Sequence, residues 1–154
     1  MEPAVESRSS QPVVGMGGVL LATDFSSASE PAAREAIRLA SEASVQLVVV
    51  SVVDPRRLRL PGGLFLRRID QERALMESAA QVLVGRARAA GVRAAFLVWE
   101  GDPTEAILAA SESENVDLIV IGSHGRGPIG RFVLGSTSAS VYERASRRVL
   151  VVPA

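Results

Sequence analysis

The sequence predicts an α/β fold with a parallel sheet and helices on both of its faces. Along the 154 residues, short runs rich in Val, Leu and Ile alternate with longer Ala-rich segments of helical periodicity, which is typical of βαβ units. The apolar runs are nearly continuous, as strands covered on both faces require. The hydrophobic fraction is 47% and the aromatic fraction only 4%, so aliphatic side chains and alanine must build the core. A chain of this length suits one domain.

Composition argues against several classes of function. The formal net charge is zero, whereas a general nucleic-acid binder needs a basic field. The chain has no Cys and a single His, which excludes disulfides, zinc–thiolate sites and multi-histidine metal sites. All 17 basic residues are Arg, so a Walker-A lysine is absent. No apolar run approaches the roughly 18–20 residues that cross a bilayer. We therefore expect a soluble, cytoplasmic protein without a nucleic-acid or membrane partner and without a metal site.

Periodicity and turn residues place the individual elements. Residues 1–16 mix Glu, Pro, Ser and Gln without a period, and we expect a disordered tail there, followed by one domain at 17–154. Ser27 and Glu30 have the spacing of a capping box, and Asp102 before Pro103 is typical of a helix start. The predicted strands are 18–23, 45–53, 92–100, 117–121 and 149–152, and the predicted helices are 27–43, 66–90, 103–113 and 136–145.

Two segments next to predicted strands carry candidate binding residues. Asp24 follows the first strand directly, and ligands of open α/β sheets bind at the carboxyl ends of strands. Asp24 is therefore a candidate binding residue, with the alternative that it only tightens the turn or caps the next helix. The loop after the second strand, predicted over 54–65, carries Arg56, Arg57 and Arg59. These arginines form a lid over a phosphate, a contact with a partner or, as is commoner in such loops, a solvated basic surface.

The most informative stretch is Gly122-Ser123-His124-Gly125, which is followed after nine residues by Gly135-Ser136. It joins the predicted strand 117–121 to the last predicted helix. Where a strand ends in glycines and a helix follows, backbone N–H groups can converge on an anion. The helix dipole favours negative charge at that point by about 0.3–1 kcal/mol. Three side chains within the connection could add charge to such a site: His124, Arg126 and Arg131.

Three phosphate-binding patterns can be compared with this stretch. A P-loop requires lysine and is excluded. The dinucleotide pattern G-x-G-x-x-G occurs at 125–130, but Pro128 interrupts it and no acid ends the following strand, so we interpret it as a chance match. The third pattern, G-x-x-G, nine residues, then G-[ST], fits in full. An ordinary glycine-rich connection would explain one or two of these glycines, but not two glycine turns together with a serine at the start of a helix.

These residues resemble the ATP-binding pattern of the universal stress protein family. The resemblance extends to the first-strand segment 20–26, to Gly101-Asp102-Pro103 with Ile107, to the run 117–125 and to the closing strand. It covers residues 17–153. It implies a Rossmann-like sheet of five parallel strands in the order 3-2-1-4-5, an ATP site at the carboxyl edge, with or without Mg²⁺, and a homodimer.

The resemblance also implies roles for individual positions. Asp24 would contact the adenosine part, Val52 would pair with adenine through its backbone beside Ile121, and Gly122 would lie near the ribose. The phosphates would be held by Gly125, Gly135, Ser136 and Thr137, with Ser123, His124 and Arg126 beside them. The chain departs from the family at Ala22 and Arg148, where proline is common, and the change at Ala22 predicts weaker stacking on the base.

The last predicted strand indicates self-association. Residues 149–152 are all apolar, yet a strand that ends the chain is expected at the edge of the sheet. An exposed apolar edge is prone to pairing with another chain. Pairing with a second copy is the simplest solution, and we expect a homodimer that involves Val149 to Val152.

The distribution of acidic residues favours binding over catalysis. Hydrolysis of ATP needs a positioned base and usually a metal-binding carboxylate near the γ-phosphate, and residues 122–142 contain no acid. Asp24 is expected to be the only carboxylate that reaches the site. We therefore predict a nucleotide-dependent regulatory or stress-response protein without catalytic residues. Two alternatives stay open: a slow ATPase or phosphotransfer enzyme that uses His124 or Ser136, and a dimeric interaction scaffold in which the nucleotide is incidental.

Overall fold

The structure, a computed structural model, describes residues 17–58, 61–123 and 134–154. The strands are β1 (Val19–Ala22), β2 (Leu47–Val53), β3 (Ala94–Glu100), β4 (Leu118–Gly122) and β5 (Arg148–Val152). The helices are α1 (Glu30–Ala43), α2 (Gly62–Ala89), α3 (Pro103–Ser113) and α4 (Ser136–Arg144). The strands form one parallel sheet in the order β3-β2-β1-β4-β5. The predicted fold class and strand order are thus confirmed.

Helices cover both faces of the sheet, as the continuous apolar runs predicted. On one face, Leu21 and Val49 pack with buried residues of α1 and α2. On the other face, Leu20 and Ile119 pack with buried residues of α3 and α4. Successive strand residues point to opposite faces, which explains why neighbours such as Leu20 and Leu21 are both fully buried. Each such side chain contributes about 1.5–3 kcal/mol of hydrophobic free energy, so the two buried faces of the sheet provide much of the stabilisation of the fold.

The strands end at different levels, and this opens a crevice at the carboxyl edge. The pairing of β1 with β2 ends at Ala22, opposite Val50, whereas β2 continues to Val53. On its other side, β1 pairs with β4, which reaches Gly122. The chain leaves β1 between two longer neighbours, at the point where the strand order reverses. Ligands of open α/β sheets bind at such a point.

The ends of two helices differ from the sequence prediction. Residues 54–65 were predicted as loop, but α2 begins at Gly62, after Pro61, and a 3₁₀ turn occupies Pro55–Arg57. The two glycines at 62 and 63 have poor helix propensity, which masked this first turn. Ser27 is not the helix cap: a 3₁₀ turn spans Ser27–Ser29, and α1 starts after Ser29 without a capping hydrogen bond from a side chain. By contrast, Asp102 caps α3 as predicted and accepts a 3.0 Å hydrogen bond from the Glu105 N–H.

Gly17 lies at the opposite, amino edge of the sheet. Its N–H donates to the Asp117 carboxylate, and a Cβ at this position would lie 2.8 Å from the Asn115 carbonyl oxygen. Close backbone contact therefore explains the glycine at this position. In the parts of the chain that the structure describes, no helix has the length and apolar content that a membrane span requires.

Side chains of α2 cover backbone acceptors on the β3 edge of the sheet. In β3, the Arg93 carbonyl just before the strand bonds to β2 at 2.8 Å, so by alternation the Ala94 and Val98 carbonyls face outward. Arg88 donates to the Ala94 carbonyl at 2.8 Å, and Arg73 donates to the Val98 carbonyl at 3.0 Å. Both arginines come from α2. They occupy acceptors that an added strand would need, and the β3 edge is thereby protected.

Candidate functional site

A cleft of about 650 Å³ lies at the carboxyl edge of the sheet, over the end of β1. Its walls come from the end of β1 with the loop after it, the end of β2 with the turn that follows it, the end of β4, the first turns of α3 and α4, and the first half of α2. Such a volume suits a mononucleotide-sized ligand. Eight of the predicted binding residues line it: Ala22, Asp24, Val52, Ile121, Gly122, Gly135, Ser136 and Thr137.

The loop that follows β1 is held by short hydroxyl contacts. The Thr23 hydroxyl lies 3.0 Å from the Ser29 hydroxyl and accepts a 3.0 Å hydrogen bond from the Phe25 N–H. Ser29 in turn donates to the Ser26 carbonyl at 2.8 Å. Phe25 has a φ of 61°, a left-handed conformation that costs a non-glycine residue roughly 1–2 kcal/mol. The loop thus holds a strained backbone in place, and this fixes the direction of Asp24.

The Asp24 carboxylate is ionised at neutral pH. It accepts a 2.9 Å hydrogen bond from the Ser26 N–H. Although the side chain is exposed to the cleft, the concave surroundings partly desolvate it. This burial raises the pKa of Asp24, but hydrogen bonding by Ser26 and Ser29 lowers the pKa more strongly, so that it lies below its ordinary value of 3.8. Asp24 therefore offers a charged acceptor to a ligand that carries hydroxyl or amino groups.

The backbone of Val52 is presented to the cleft because β1 ends early. Alternate residues of a strand turn their N–H and C=O groups toward opposite neighbours. The Val50 carbonyl bonds to the Thr23 N–H at 3.0 Å on the β1 side, whereas the Val53 carbonyl bonds to the Gly101 N–H at 2.9 Å on the β3 side. By this alternation the polar groups of Val52 face the β1 side, where the strand pairing has already stopped opposite Val50. They form a donor–acceptor pair at the cleft wall.

The start of α4 is joined to the end of β4. The Ser138 hydroxyl donates to the Gly122 carbonyl at 2.7 Å, and this bond is buried. The Gly135 N–H donates to the Ser123 carbonyl at 2.7 Å, and the Ser123 N–H donates to the Val152 carbonyl at 2.9 Å. These bonds place the first turn of α4 beside the carboxyl end of β1. The position of the helix relative to the cleft is therefore set by backbone contacts.

The N-terminus of α4 is arranged to face an anion. Its N-cap is Gly135, which provides no side-chain capping bond, and Gly135, Ser136 and Thr137 all line the cleft. Helix N-termini carry about half a unit of positive charge and several N–H donors. Since the same cleft contains the Asp24 carboxylate and the Val52 backbone, it combines an anion-binding end with a hydrogen-bonding end.

Gly122 is not required by the packing of the chain itself. A Cβ at this position would lie 3.7 Å from the Ser29 Cα and 3.9 Å from the Val152 carbonyl oxygen, which are ordinary van der Waals distances, and its φ is not in the left-handed region. The chain could therefore hold alanine here. Ser29, which a Cβ here would contact, also lines the cleft, so a glycine at this position allows a ligand to approach the backbone closely.

Four predicted site residues are not among those that line the cleft in the described structure. Ser123 is buried and serves as the link between β4, β5 and α4 rather than as part of the cleft wall. The predictions for His124, Gly125 and Arg126 lie outside the described residues. Arg57, from the predicted arginine loop, also lines the cleft, whereas sequence reasoning missed part of the wall that comes from elements distant in the chain: Leu58, Glu72, Met76, Pro103 and Ile107.

The expectation that Asp24 is the only carboxylate at the cleft is wrong. Asp54 and Glu72 also line it. Arg56 lowers the pKa of Asp54 below its ordinary value, and Glu72 is paired with Arg68 at 3.3 Å. Within residues 17–58, 61–123 and 134–154, no group of three or more His, Cys, Asp or Glu side chains is arranged to hold a metal ion.

Comparison with known proteins gives a consistent family assignment. The family model described as the universal stress protein family matches residues 16–153. A universal stress protein of Thermus aquaticus is 35% identical over 135 residues, with 87% of this chain and 96% of that protein covered. The universal stress protein MJ0577 of Methanocaldococcus jannaschii is 26% identical over 150 residues, with 87% and 93% covered.

Solved structures show the same fold. The universal stress protein UspA from Lactobacillus plantarum superposes with a TM-score of 0.80 at 24% identity and covers 89% of this chain and 97% of its own. A universal stress protein in complex with cAMP has a TM-score of 0.68 at 24% identity, with 90% and 97% covered. The universal stress protein from Archaeoglobus fulgidus in complex with dAMP has a TM-score of 0.66 at 22% identity, with 88% and 96% covered.

The lowered pKa of Asp24 predicts a pH-dependent contribution to stability. Because the folded-state pKa lies below the ordinary value of 3.8, the ionised carboxylate stabilises the folded protein above that pH, and this contribution is lost as the pH falls through the folded-state pKa. We expect Asp24→Asn to unfold at lower urea concentration than the wild type at pH 7, with the two midpoints converging below pH 3.8. A difference that stays constant down to pH 2.5 would contradict this assignment.

Proposed function

This chain belongs to the universal stress protein family, and on that premise we propose that it binds an adenine nucleotide, with ATP as the ligand, and acts as a nucleotide-dependent regulatory module. The observation that carries the proposal is the cleft, in which the N-terminus of α4, Asp24 and the Val52 backbone face one space. The cAMP and dAMP bound to two structural neighbours are both adenine nucleotides, which supports the choice of base.

The adenosine part is placed at the β2 end of the cleft. The N–H and C=O of Val52 match the N1 acceptor and the 6-amino donor on the edge of adenine, whereas a 6-oxo purine would place its own N1–H donor against the N–H. The ionised Asp24 carboxylate is a suitable acceptor for ribose hydroxyls. Gly122 allows the sugar to approach the end of β4, and Ile121 and Ile107 supply apolar contact.

The phosphates are placed at the start of α4. Asp54 and Glu72 line the cleft from the β2 and α2 side, and their negative charge repels phosphate. The helix N-terminus at Gly135, Ser136 and Thr137 attracts it. This separation of charge orients the nucleotide in one direction. Mg²⁺ would be carried by the phosphates of ATP, since the described residues provide no three-ligand acidic cluster.

Nucleotide binding is tested by two matched glycine substitutions. Gly122→Ala should weaken binding of ATP at least tenfold in isothermal titration calorimetry, because the added methyl group projects where the sugar approaches. The chain itself has room for that methyl group, so thermal stability should be nearly unchanged. Gly85→Ala is the control: it adds a methyl group to α2, with nothing within 4 Å, and should bind like the wild type. Wild-type protein without measurable affinity at millimolar ATP would overturn the proposal.

Slow hydrolysis is the second candidate, because Asp54 and Glu72 also line the cleft. Both come from the β2 and α2 side, opposite the proposed phosphate end, and a catalytic base must reach the attacking water near the γ-phosphate. We therefore expect the wild type to release phosphate from ATP no faster than the Gly122→Ala variant, in which nucleotide binding is weakened. Release that is clearly faster in the wild type and is lost in Asp24→Ala, Asp54→Ala or Glu72→Ala would establish the enzyme alternative.

We further propose that two copies of the chain pair through β5. The Val152 carbonyl bonds to β4, so by alternation the backbone groups of Val149 and Val151 face away from the sheet. The opposite edge is protected, because Arg73 and Arg88 occupy the outward carbonyls of β3. A dimer through a single edge is closed and does not continue into a filament.

A pair of proline substitutions tests this assembly. Val151→Pro removes an outward N–H and should give a monomer in size-exclusion chromatography with light scattering, since proline is tolerated at an edge strand but cannot donate. Ala94→Pro makes the same change on the β3 edge and should leave the oligomeric state of the wild type unchanged. A wild type that is monomeric at all concentrations, or a dimeric Val151→Pro variant, would refute pairing through β5.

A further inference from the structure

The Arg56 side chain connects the loop after β2 to the start of α3. Its Nε lies 3.0 Å from Asp54 Oδ1, and its Nη2 lies 2.9 Å from Asp54 Oδ2 and 2.9 Å from Asp102 Oδ2. One guanidinium group thus bonds to two carboxylates that are 48 residues apart in the chain. We call this group of Arg56, Asp54 and Asp102 the Arg56 clasp.

Each carboxylate of the clasp is held independently by its own backbone. Asp54 accepts a 3.0 Å bond from the Arg56 N–H at the start of the 3₁₀ turn, and only 8% of its side chain is exposed. Asp102 caps α3 through the Glu105 N–H at 3.0 Å. Hydrogen bonding by Arg56 lowers the pKa of Asp54, and the Glu105 N–H together with Arg56 lowers that of Asp102. Both acids are therefore charged at neutral pH, and the clasp is fully formed.

The two segments that the clasp joins are neighbours, and each contributes to the cleft wall. Arg57 and Leu58, directly after Arg56, line the cleft on the β2 side, and Pro103 and Ile107 line it from α3. Val52 also lines it, at the end of β2. The spacing between the 3₁₀ turn and the first turn of α3 therefore sets the width of the cleft beside Val52. Arg56 itself does not line the cleft, which separates it from residues that touch a ligand.

We propose that Arg56 is a positioning residue, which holds the cleft at the width that fits the base of the nucleotide. This rests on the proposed function, since it assigns the base to the Val52 end. The clasp lies on the β2 side, and the phosphate end lies at α4, beyond β1 and β4. Neighbouring strands are about 4.8 Å apart, so these two ends are separated by roughly 10 Å. Loss of the clasp therefore changes recognition of the base and leaves the phosphate contacts intact.

The test compares two ligands that share the base but differ in phosphate. Arg56→Ala should weaken the binding of adenosine and the binding of ATP by the same factor. We expect this factor to be about three- to fivefold, which is the range that a partly exposed ion-pair network supports. Arg56→Lys should recover part of the affinity, because an ammonium group can bond to either carboxylate but cannot reproduce the two-bond contact with Asp54. If the substitution weakens the binding of ATP but not that of adenosine, Arg56 acts on the phosphates, and the proposal is overturned.

A matched control removes a similar network far from the cleft. Arg38 in α1 also bridges two carboxylates, Glu35 and Glu42, and its side chain is 51% exposed, compared with 67% for Arg56. It does not line the cleft. Arg38→Ala should leave both affinities unchanged. Equal weakening by Arg38→Ala and Arg56→Ala would show a general loss of stability and would contradict a positioning role.

A second variant separates positioning from helix capping. Asp102→Asn retains an N-cap side chain but weakens the contact with Arg56. In a double-mutant cycle on adenosine affinity, Arg56→Ala and Asp102→Asn should be non-additive, because each breaks the same clasp. Additive effects would show that Arg56 does not act through Asp102.

Hydrogen exchange tests the clasp without any ligand. Arg56→Ala should accelerate amide exchange in the first turn of α3, at Glu105 and Ala106, and in the turn after β2, while the central strands stay protected. If the wild type binds neither adenosine nor ATP, the proposed function fails, yet this measurement still reports whether the clasp holds the two segments together. Unchanged exchange in Arg56→Ala would overturn the clasp itself.

Discussion

The rest of the structure depends on the position of β1, which pairs with β2 on one side and β4 on the other and stops before either neighbour does. A strand that ends between two longer strands leaves their backbone groups uncovered at that point. The Val52 donor and acceptor face the cleft for this reason, and the loop with Asp24 begins there. The chain keeps this arrangement because β1 is fully buried on both faces, so its register relative to its neighbours cannot shift without exposing the core.

Polar contacts of modest strength complete the site around this fixed centre. Two bonds of 2.7 Å, from Ser138 and from the Gly135 N–H, attach α4 to the end of β4. Hydroxyl contacts among Thr23, Ser26 and Ser29 hold the loop after β1. On the far side, the Arg56 clasp joins the β2 turn to α3. The hydrogen bonds of Ser138 and Ser29 each contribute about 1 kcal/mol, and the exposed ion pairs of the clasp contribute less. These polar contacts determine the positions of the cleft residues, while the apolar core determines whether the protein folds.

The sequence predicted the strands, the fold class and the cap at Asp102, because these features depend on local pattern: apolar continuity, helical period and the Asp-Pro start of α3. It failed where two local signals competed. Gly62 and Gly63 read as loop, yet they form the first turn of α2 after Pro61. Ser27 and Glu30 have the spacing of a capping box, yet a 3₁₀ turn intervenes and Ser29 takes the cap position. In both cases the neighbouring structure overrides a weak local preference.

The pattern of the sequence predicted a doubly wound α/β domain and placed Asp24, Gly122 and Gly135 near the carboxyl edge of the sheet, because strand ends are readable from the pattern and all parallel strands end at one edge. The role of Val52 came only from the resemblance to the family. Only the tertiary structure decided which distant side chains complete the cleft. Glu72 and Met76 reach it because of the path of α2 across the sheet. Arg56 bonds to both Asp54 and Asp102 because the start of α3 lies beside the turn after β2. Contacts between elements far apart in the chain depend on packing, and no local sequence pattern encodes them.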